Sequence, residues 1–202
     1  RIEQHLKDID RPLAAFCACE LRSPEPFSES GFRSFNESYI GFLKQWRIVS
    51  DGGNPVARSN VCPEFDPPSE PGFYAFSYTI PKADASASFV IAGSAEAPEG
   101  KSDYRSHVIR LGETNPAAMA EKARGGLGEM ERRMAQFCAT WSDTTAVQLY
   151  TIQDISTFLK EELGRRGVLR HGLTWHLNQP PVVDLVYEMD CRRVHVEEIL
   201  DV

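Results

Sequence analysis

The chain has 202 residues and a formal charge of −7, from 22 Lys and Arg against 29 Asp and Glu. With 42% apolar and 25% charged residues it reads as a folded globular protein, long enough to bury a core without disulfide or metal staples. The acidic balance argues against a general nucleic-acid or anionic-membrane surface, and no apolar run approaches the roughly 18 residues of a membrane span. The opening RIEQHLKDIDRP has no apolar signal core, so a cytoplasmic protein is expected. Cys17, Cys19, Cys62, Cys138 and Cys191 are an odd number without CxxC spacing, as a reducing compartment implies; Cys17 and Cys19 are expected to be reduced, buried and metal-free, and Cys138 a buried thiol likewise.

In chain order, PLAAFCACEL (residues 12–21) predicts a buried strand, with Cys17 and Cys19 on one face. A helix follows from Ser28 or Ser30 to Trp46, with Phe32, Phe35, Tyr39, Phe42, Leu43 and Trp46 as its apolar stripe. Asp51-Gly52-Gly53-Asn54-Pro55 ends it, and VARSNV is a candidate short strand. The proline-rich CPEFDPPSEPG marks a boundary, giving units of residues 1–70 and 71–202. FYAFSYTI and SFVIAGSA then read as two paired strands, and SHVIRL as a third. Asn115-Pro116 opens the longest helix, striped by Met119, Ala123, Leu127, Met130, Met134 and Phe137. Its internal Gly125, Gly126 and Gly128 imply close packing, because each costs about 1 kcal/mol against Ala.

TAVQLYTI is a strand, followed by a short helix capped by Asp154 or Ser156. Residues 172–177 form a strand, NQPP a turn, and residues 182–196 a last long strand. On that strand Val183, Leu185, Tyr187 and Met189 point one way, and Asp184, Glu188 and Asp190 the other. Partial alternation of strands and helices gives an α+β fold, a mixed sheet with helices on one face. The other face then needs cover, and a second chain is expected to supply it.

From about residue 73 to 197 the chain resembles the Rid (reactive intermediate deaminase, YjgF-like) family. The likeness rests on FSYTI with FVIAGSAEA, on NPAAMAEKARGGLGEMERRM, on TTAVQLYTIQDI and on VVDLVYEMD, in the family's order and spacing. The resemblance implies a chorismate-mutase-like fold and a homotrimer with ligand clefts between subunits. It also implies hydrolysis of enamines or imines, with one branch acting on 2-aminomuconate. In active members an arginine holds the substrate carboxylate and a glutamate on the last strand positions water. Glu188 matches that glutamate, and Arg170 is the nearest arginine, further upstream than the family spacing. Tyr74 or Tyr78 matches the family's tyrosine near the first strand. The N-terminal β-α-β segment looks like a partial second Rid-like unit, an arrangement resembling that of chorismatases.

Read as chemistry, His176 and Glu188 share a face if residues 172–177 and 182–196 form a hairpin, making an acid–base pair for adding water. Arg58, between proline-rich segments, is the alternative carboxylate anchor should the N-terminal unit complete the cleft. No GxGxxG, P-loop or metal-ligand spacing occurs, so no cofactor and no metal are expected. The expected activity is a hydrolytic deaminase of a small carboxylated, aminomuconate-like substrate. The alternatives are a non-catalytic trimeric metabolite-binding protein and a chorismatase-like lyase or hydrolase.

Overall fold

Two four-stranded sheets meet face to face, each carrying its helices on the outside. The computed structural model describes residues 1–50, 53–98 and 103–200. Residues 51 and 52 of the expected helix terminator lie outside them. The N-terminal sheet is built from β1 (Phe16–Arg22), β2 (Ala57–Pro63), β3 (Gly72–Tyr78) and the short β7 (Asn178–Gln179), in the order β3-β1-β2-β7. The second holds β4 (Phe89–Ala95), β5 (Ala146–Tyr150), β6 (Thr174–His176) and β8 (Glu188–Arg193), in the order β4-β8-β5-β6. Helices α1 (Ile2–Asp8) and α2 (Glu29–Gln45) belong to the first layer and α3 (Pro116–Ala135) and α4 (Ser156–Phe158) to the second. The fold is α+β, with mixed sheets. No helix among the described residues is long and apolar enough to cross a membrane.

The helix ends follow the caps. Ser28 Oγ accepts from the Gly31 amide at 3.1 Å and starts α2. Asn115 Oδ1 accepts from Ala118 at 3.0 Å and starts α3, with Pro116 where no amide hydrogen is needed. Met119, Ala123, Leu127, Met130 and Met134 are buried against Leu149, Tyr187, Met189 and Cys191. Of the three α3 glycines Gly126 allows this approach, since a Cβ there would stand 2.7 Å from the Tyr187 ring; a Cβ at Gly125 would meet Ile109 instead, and one at Gly128 meets nothing. Phe137 lies beyond the helix end, 58% exposed, and stacks on Phe89. Cys138, expected to be buried, is exposed in a left-handed turn. Cys19 is buried and shares a 3.4 Å hydrogen bond with the Tyr39 hydroxyl, whereas Cys17 is half-buried.

Several expected pairings are replaced. β3 and β4 do not pair; β3 lies antiparallel on β1, in the other sheet. The units expected at 1–70 and 71–202 are therefore interleaved, since β3 and β7 complete the N-terminal sheet. SHVIRL forms no strand: Glu29 Oε1 accepts from the Tyr104 and Arg105 amides and Asp103 Oδ1 from Ser106, winding residues 105–107 into a 3-10 turn. β6 and β8 are not a hairpin. β6 is parallel to β5 and β8 antiparallel to it, so β5 separates them. NQPP is not simply a turn, because Asn178 and Gln179 cross over to pair with β2. The long last strand shortens to β8, after an irregular stretch with Asp184 at φ 76°.

The two faces of β8 are as expected, but the cover of the polar face is different. The N-terminal sheet of the same chain packs on it, where a second chain was anticipated. Glu20 of β1 accepts from Gln148 Nε2 at 2.8 Å and from Arg192 Nη1 at 3.1 Å. Asp190 accepts from the Tyr150 hydroxyl at 2.8 Å and from Gln148 at 3.2 Å. The interface is thus a buried polar network, in which each lost partner is costly.

Burial, with the Glu20 charge second, pushes the Asp190 carboxyl up to about 6. The unfolded value is about 3.9, so between roughly pH 4 and 6 the folded chain holds a proton that the unfolded chain has released. This contribution to stability is present at low pH and is lost as pH rises through that window. Wild type is expected to lose stability relative to Asp190→Asn on going from pH 4 to 7 in urea unfolding. A difference that stays constant would show that Asp190 does not titrate there.

Candidate active site

A cavity of about 340 Å³ opens where the α2–β2 edge faces β4. That volume lies in the roughly 300–1,000 Å³ range of small-molecule sites. Period-two alternation on β2 turns Arg58 and Asn60 to the same side, and both line the cavity. The α2 stripe supplies an aromatic wall. The Arg58 guanidinium lies 4.8 Å from the Tyr39 ring centroid, 5.5 Å from Phe32 and 5.8 Å from Phe35. Arg58 Nη1 donates to Asn36 Oδ1 at 2.8 Å, which orients the fork and leaves its other N–H groups without a partner among the described residues.

Glu188 opens β8 on the opposite wall, 5% exposed. Its entry is braced by buried Glu96, whose carboxylate accepts the Val186 amide at 2.7 Å and the Tyr187 amide at 3.1 Å. Lys122 Nζ, reaching in from α3, donates to the same carboxylate at 3.2 Å. Burial outweighs that cation and raises the Glu96 carboxyl. β4 is held in turn by Arg133, whose Nη1 donates to the Ala92 carbonyl at 2.8 Å. Gly93 is the seat of the Glu188 carboxylate: a Cβ there would be 2.2 Å from Oε1 and 3.0 Å from the Ser59 Cβ. Burial first, and the Glu188 charge second, push the nearby Cys62 thiol up to about 12, a setting that disfavours the thiolate.

Asn60 is 2% exposed. Its Oδ1 accepts from the Ser23 hydroxyl at 2.9 Å, while its Nδ2 has no hydrogen-bond partner. Unpaired buried donors are uncommon, and one lining a cavity points to a ligand acceptor. Among the described residues no group of three His, Cys, Asp or Glu is placed to hold a metal.

The structure therefore brings Arg58 and Glu188 to one cavity, and leaves the other candidates away from its walls. His176 is linked through Nε2 to Gln148 Oε1 at 2.9 Å and stacks on Tyr150. Burial, then the Arg22 charge, lowers its pKa. Arg170 is exposed on the 3-10 turn Val168–His171. Tyr74 is exposed under the Arg22 guanidinium at 4.1 Å, and the Tyr78 hydroxyl donates to Glu198 at 3.4 Å. Sequence reading sets Asn60 beside Arg58 in VARSNV but gives it no role, and it misses Gly93, which carries meaning only once β2 and β8 approach it.

Fold and cavity together define an α+β protein in which an arginine fork and a buried carboxyl group line one cleft. The chain belongs to the family of 2-aminomuconate deaminase CnbZ, whose family model matches residues 1–198. It is 43% identical over 201 residues to the 2-amino-5-chloromuconate deaminase of Comamonas testosteroni, covering 98% of this chain and 80% of that protein. Among solved structures it is similar to YyfB of Yersinia pestis, a Rid-family protein of unknown function (TM-score 0.40, 11% identity, 55% of this chain and 81% of that one). It is also similar to a chorismatase (TM-score 0.49, 11% identity, 96% and 67%).

Proposed function

We propose that the chain deaminates a 2-aminomuconate-like substrate hydrolytically in the Arg58–Glu188 cavity. The observation that carries the site assignment is the convergence of these two residues on one cavity from different sheets. Family membership and the 43% identical deaminase support the substrate class. Arg58 forms a charge-assisted fork with the carboxylate next to the amino-bearing carbon. A solvent proton added to the enamine carbon gives the iminium ion. Glu188 takes a proton from water as the water oxygen bonds to the iminium carbon, giving a neutral carbinolamine. Glu188 passes that proton to nitrogen, the C–N bond breaks as the hydroxyl proton returns to solvent, and ammonia and a 2-oxo acid leave.

The test is ammonia release, measured with a coupled dehydrogenase, from 2-aminomuconate generated in the assay. Stoichiometric ammonia is the expected result. Ligand binding without ammonia above the spontaneous rate would favour the metabolite-binding reading instead.

We further propose a homotrimer in a reducing cytoplasm. Phe73 and Tyr74 on edge strand β3 and Trp175 on edge strand β6 are 42%, 64% and 41% exposed, supporting an assembly at those edges. The five free thiols support the compartment. Sedimentation giving a species near 22.6 kDa at micromolar concentration would overturn the trimer.

A further inference from the structure

We infer that Asn60 is a specificity-determining residue, its Nδ2 amide binding the substrate carboxylate at the end remote from the one Arg58 holds. This rests on the deaminase reading above. A muconate skeleton is a six-carbon diacid, and among the described residues the cavity offers it one cationic fork, at Arg58. The second carboxylate needs a donor of another kind. Asn36, Asn54 and Asn60 all line the cavity. Asn36 is half-buried and Asn54 exposed, so water can serve their amides, whereas Asn60 is closed off.

Geometry and orientation agree. Arg58 and Asn60 stand two residues apart on one face of β2, an advance of roughly 6.5 Å. Both residues line the one cavity, so a diacid lying along β2 presents one carboxylate to each. The Ser23 hydroxyl donates to Asn60 Oδ1, which fixes the carboxamide with its N–H groups as the unspent side. Ser23 is itself anchored, its amide donating to the Val61 carbonyl at 3.0 Å. The ligand atom that meets Asn60 must therefore be an acceptor. A carboxylate oxygen satisfies this; an ammonium does not. A neutral donor also avoids a second buried cation, which needs a partner whenever the cavity is empty.

The probes are muconate and sorbate, unreactive dienoates with the same six-carbon skeleton and one carboxylate fewer in sorbate. Binding is measured by calorimetry to wild type, Asn60→Ala and Asn60→Asp, with ammonia release followed in parallel. Wild type should bind muconate roughly 10- to 100-fold tighter than sorbate, the scale of one hydrogen bond to a charged group. Asn60→Ala should bring the two affinities within a few-fold, and Asn60→Asp should make muconate the weaker ligand. Asp keeps the size and the acceptor for Ser23. Unchanged sorbate binding in either variant shows that the fold and the Arg58 end are intact. In turnover the loss should fall on KM and largely spare kcat.

A muconate preference that is absent in wild type, or survives in Asn60→Asp, overturns the assignment. If wild type still releases ammonia, the deaminase reading stands and only Asn60 falls. If it releases none and binds neither acid, both fall.

Discussion

Glu188→Gln is expected to lower turnover of an aminomuconate-like substrate by roughly 10²- to 10⁴-fold, the scale of a lost acid–base group. The loss should appear in kcat, with KM changed little. Gln has the shape of Glu, and Glu188 sits at 5% exposure between Gly93 and the β2 edge, so the isosteric amide fits the same seat. The neutral side chain lightens the burden of burying charge, so the melting temperature should hold or rise. What it cannot do at neutral pH is take a proton from water. Gly93→Ala approaches the same group sterically. With a Cβ 2.2 Å from Oε1 the carboxylate must leave its seat, and activity should fall in parallel with about 1–3 kcal/mol of stability. Combining Gly93→Ala with Glu188→Ala removes the clash with Oε1 and leaves only the tight contact with Ser59, so the pair should cost less stability than the sum of its parts. Full turnover in Glu188→Gln would reduce the residue to a structural carboxylate and move the chemistry elsewhere.

Local chemistry was the readable part of this fold. The caps at Ser28 and Asn115, the α3 stripe and the split faces of β8 all depend on residues within a few positions of one another. Strand partnership was not readable. FYAFSYTI and SFVIAGSA are equally good strands, and no turn residue says whether they meet; β3 instead takes the free side of β1, which the parallel β1–β2 pair leaves open. The presumed His176–Glu188 hairpin failed for a related reason. Both residues register opposite Tyr150, one on each side of β5, so a strand lies between them. Asn178 and Gln179, read as turn residues, are pulled across to the other sheet.

The site was half readable for the same physical cause. Glu188 could be placed because the family likeness and the alternation of β8 coincide on it. Arg58 stood out as an arginine framed by proline-rich segments. Their meeting depends on two sheets packing polar face to polar face, which no local pattern announces. Periodicity distinguishes an apolar face from a polar one, but it does not tell a solvated polar face from one buried against another. Glu20, Gln148, Asp190 and Arg192 are side chains of the kind a solvated face carries, and here they form the interface between the two sheets.

Arg58→Ala is expected to raise KM roughly 10²-fold or more while the residual kcat falls less. A guanidinium–carboxylate fork contributes two charge-assisted hydrogen bonds, each on the order of 1.5–3 kcal/mol, and among the described residues no second arginine lines this cavity to replace it. Arg58→Lys should recover little of the loss. The Arg58 plane lies among Tyr39, Phe32 and Phe35, and its Nη1 is committed to Asn36, so both its stacking and its orientation depend on a flat, forked cation. A lysine ammonium is compact, more strongly hydrated and unable to donate in parallel. Some stability should go as well, about 1 kcal/mol, from the lost cation–π contacts. The diagnostic is the contrast between the two walls: Arg58 variants shift KM and weaken sorbate along with muconate, whereas Glu188→Gln shifts kcat. An Arg58→Ala protein whose KM and sorbate affinity stay within two-fold of wild type would show that the carboxylate anchor is not on β2, and the cavity would lose the feature that ties it to this reaction.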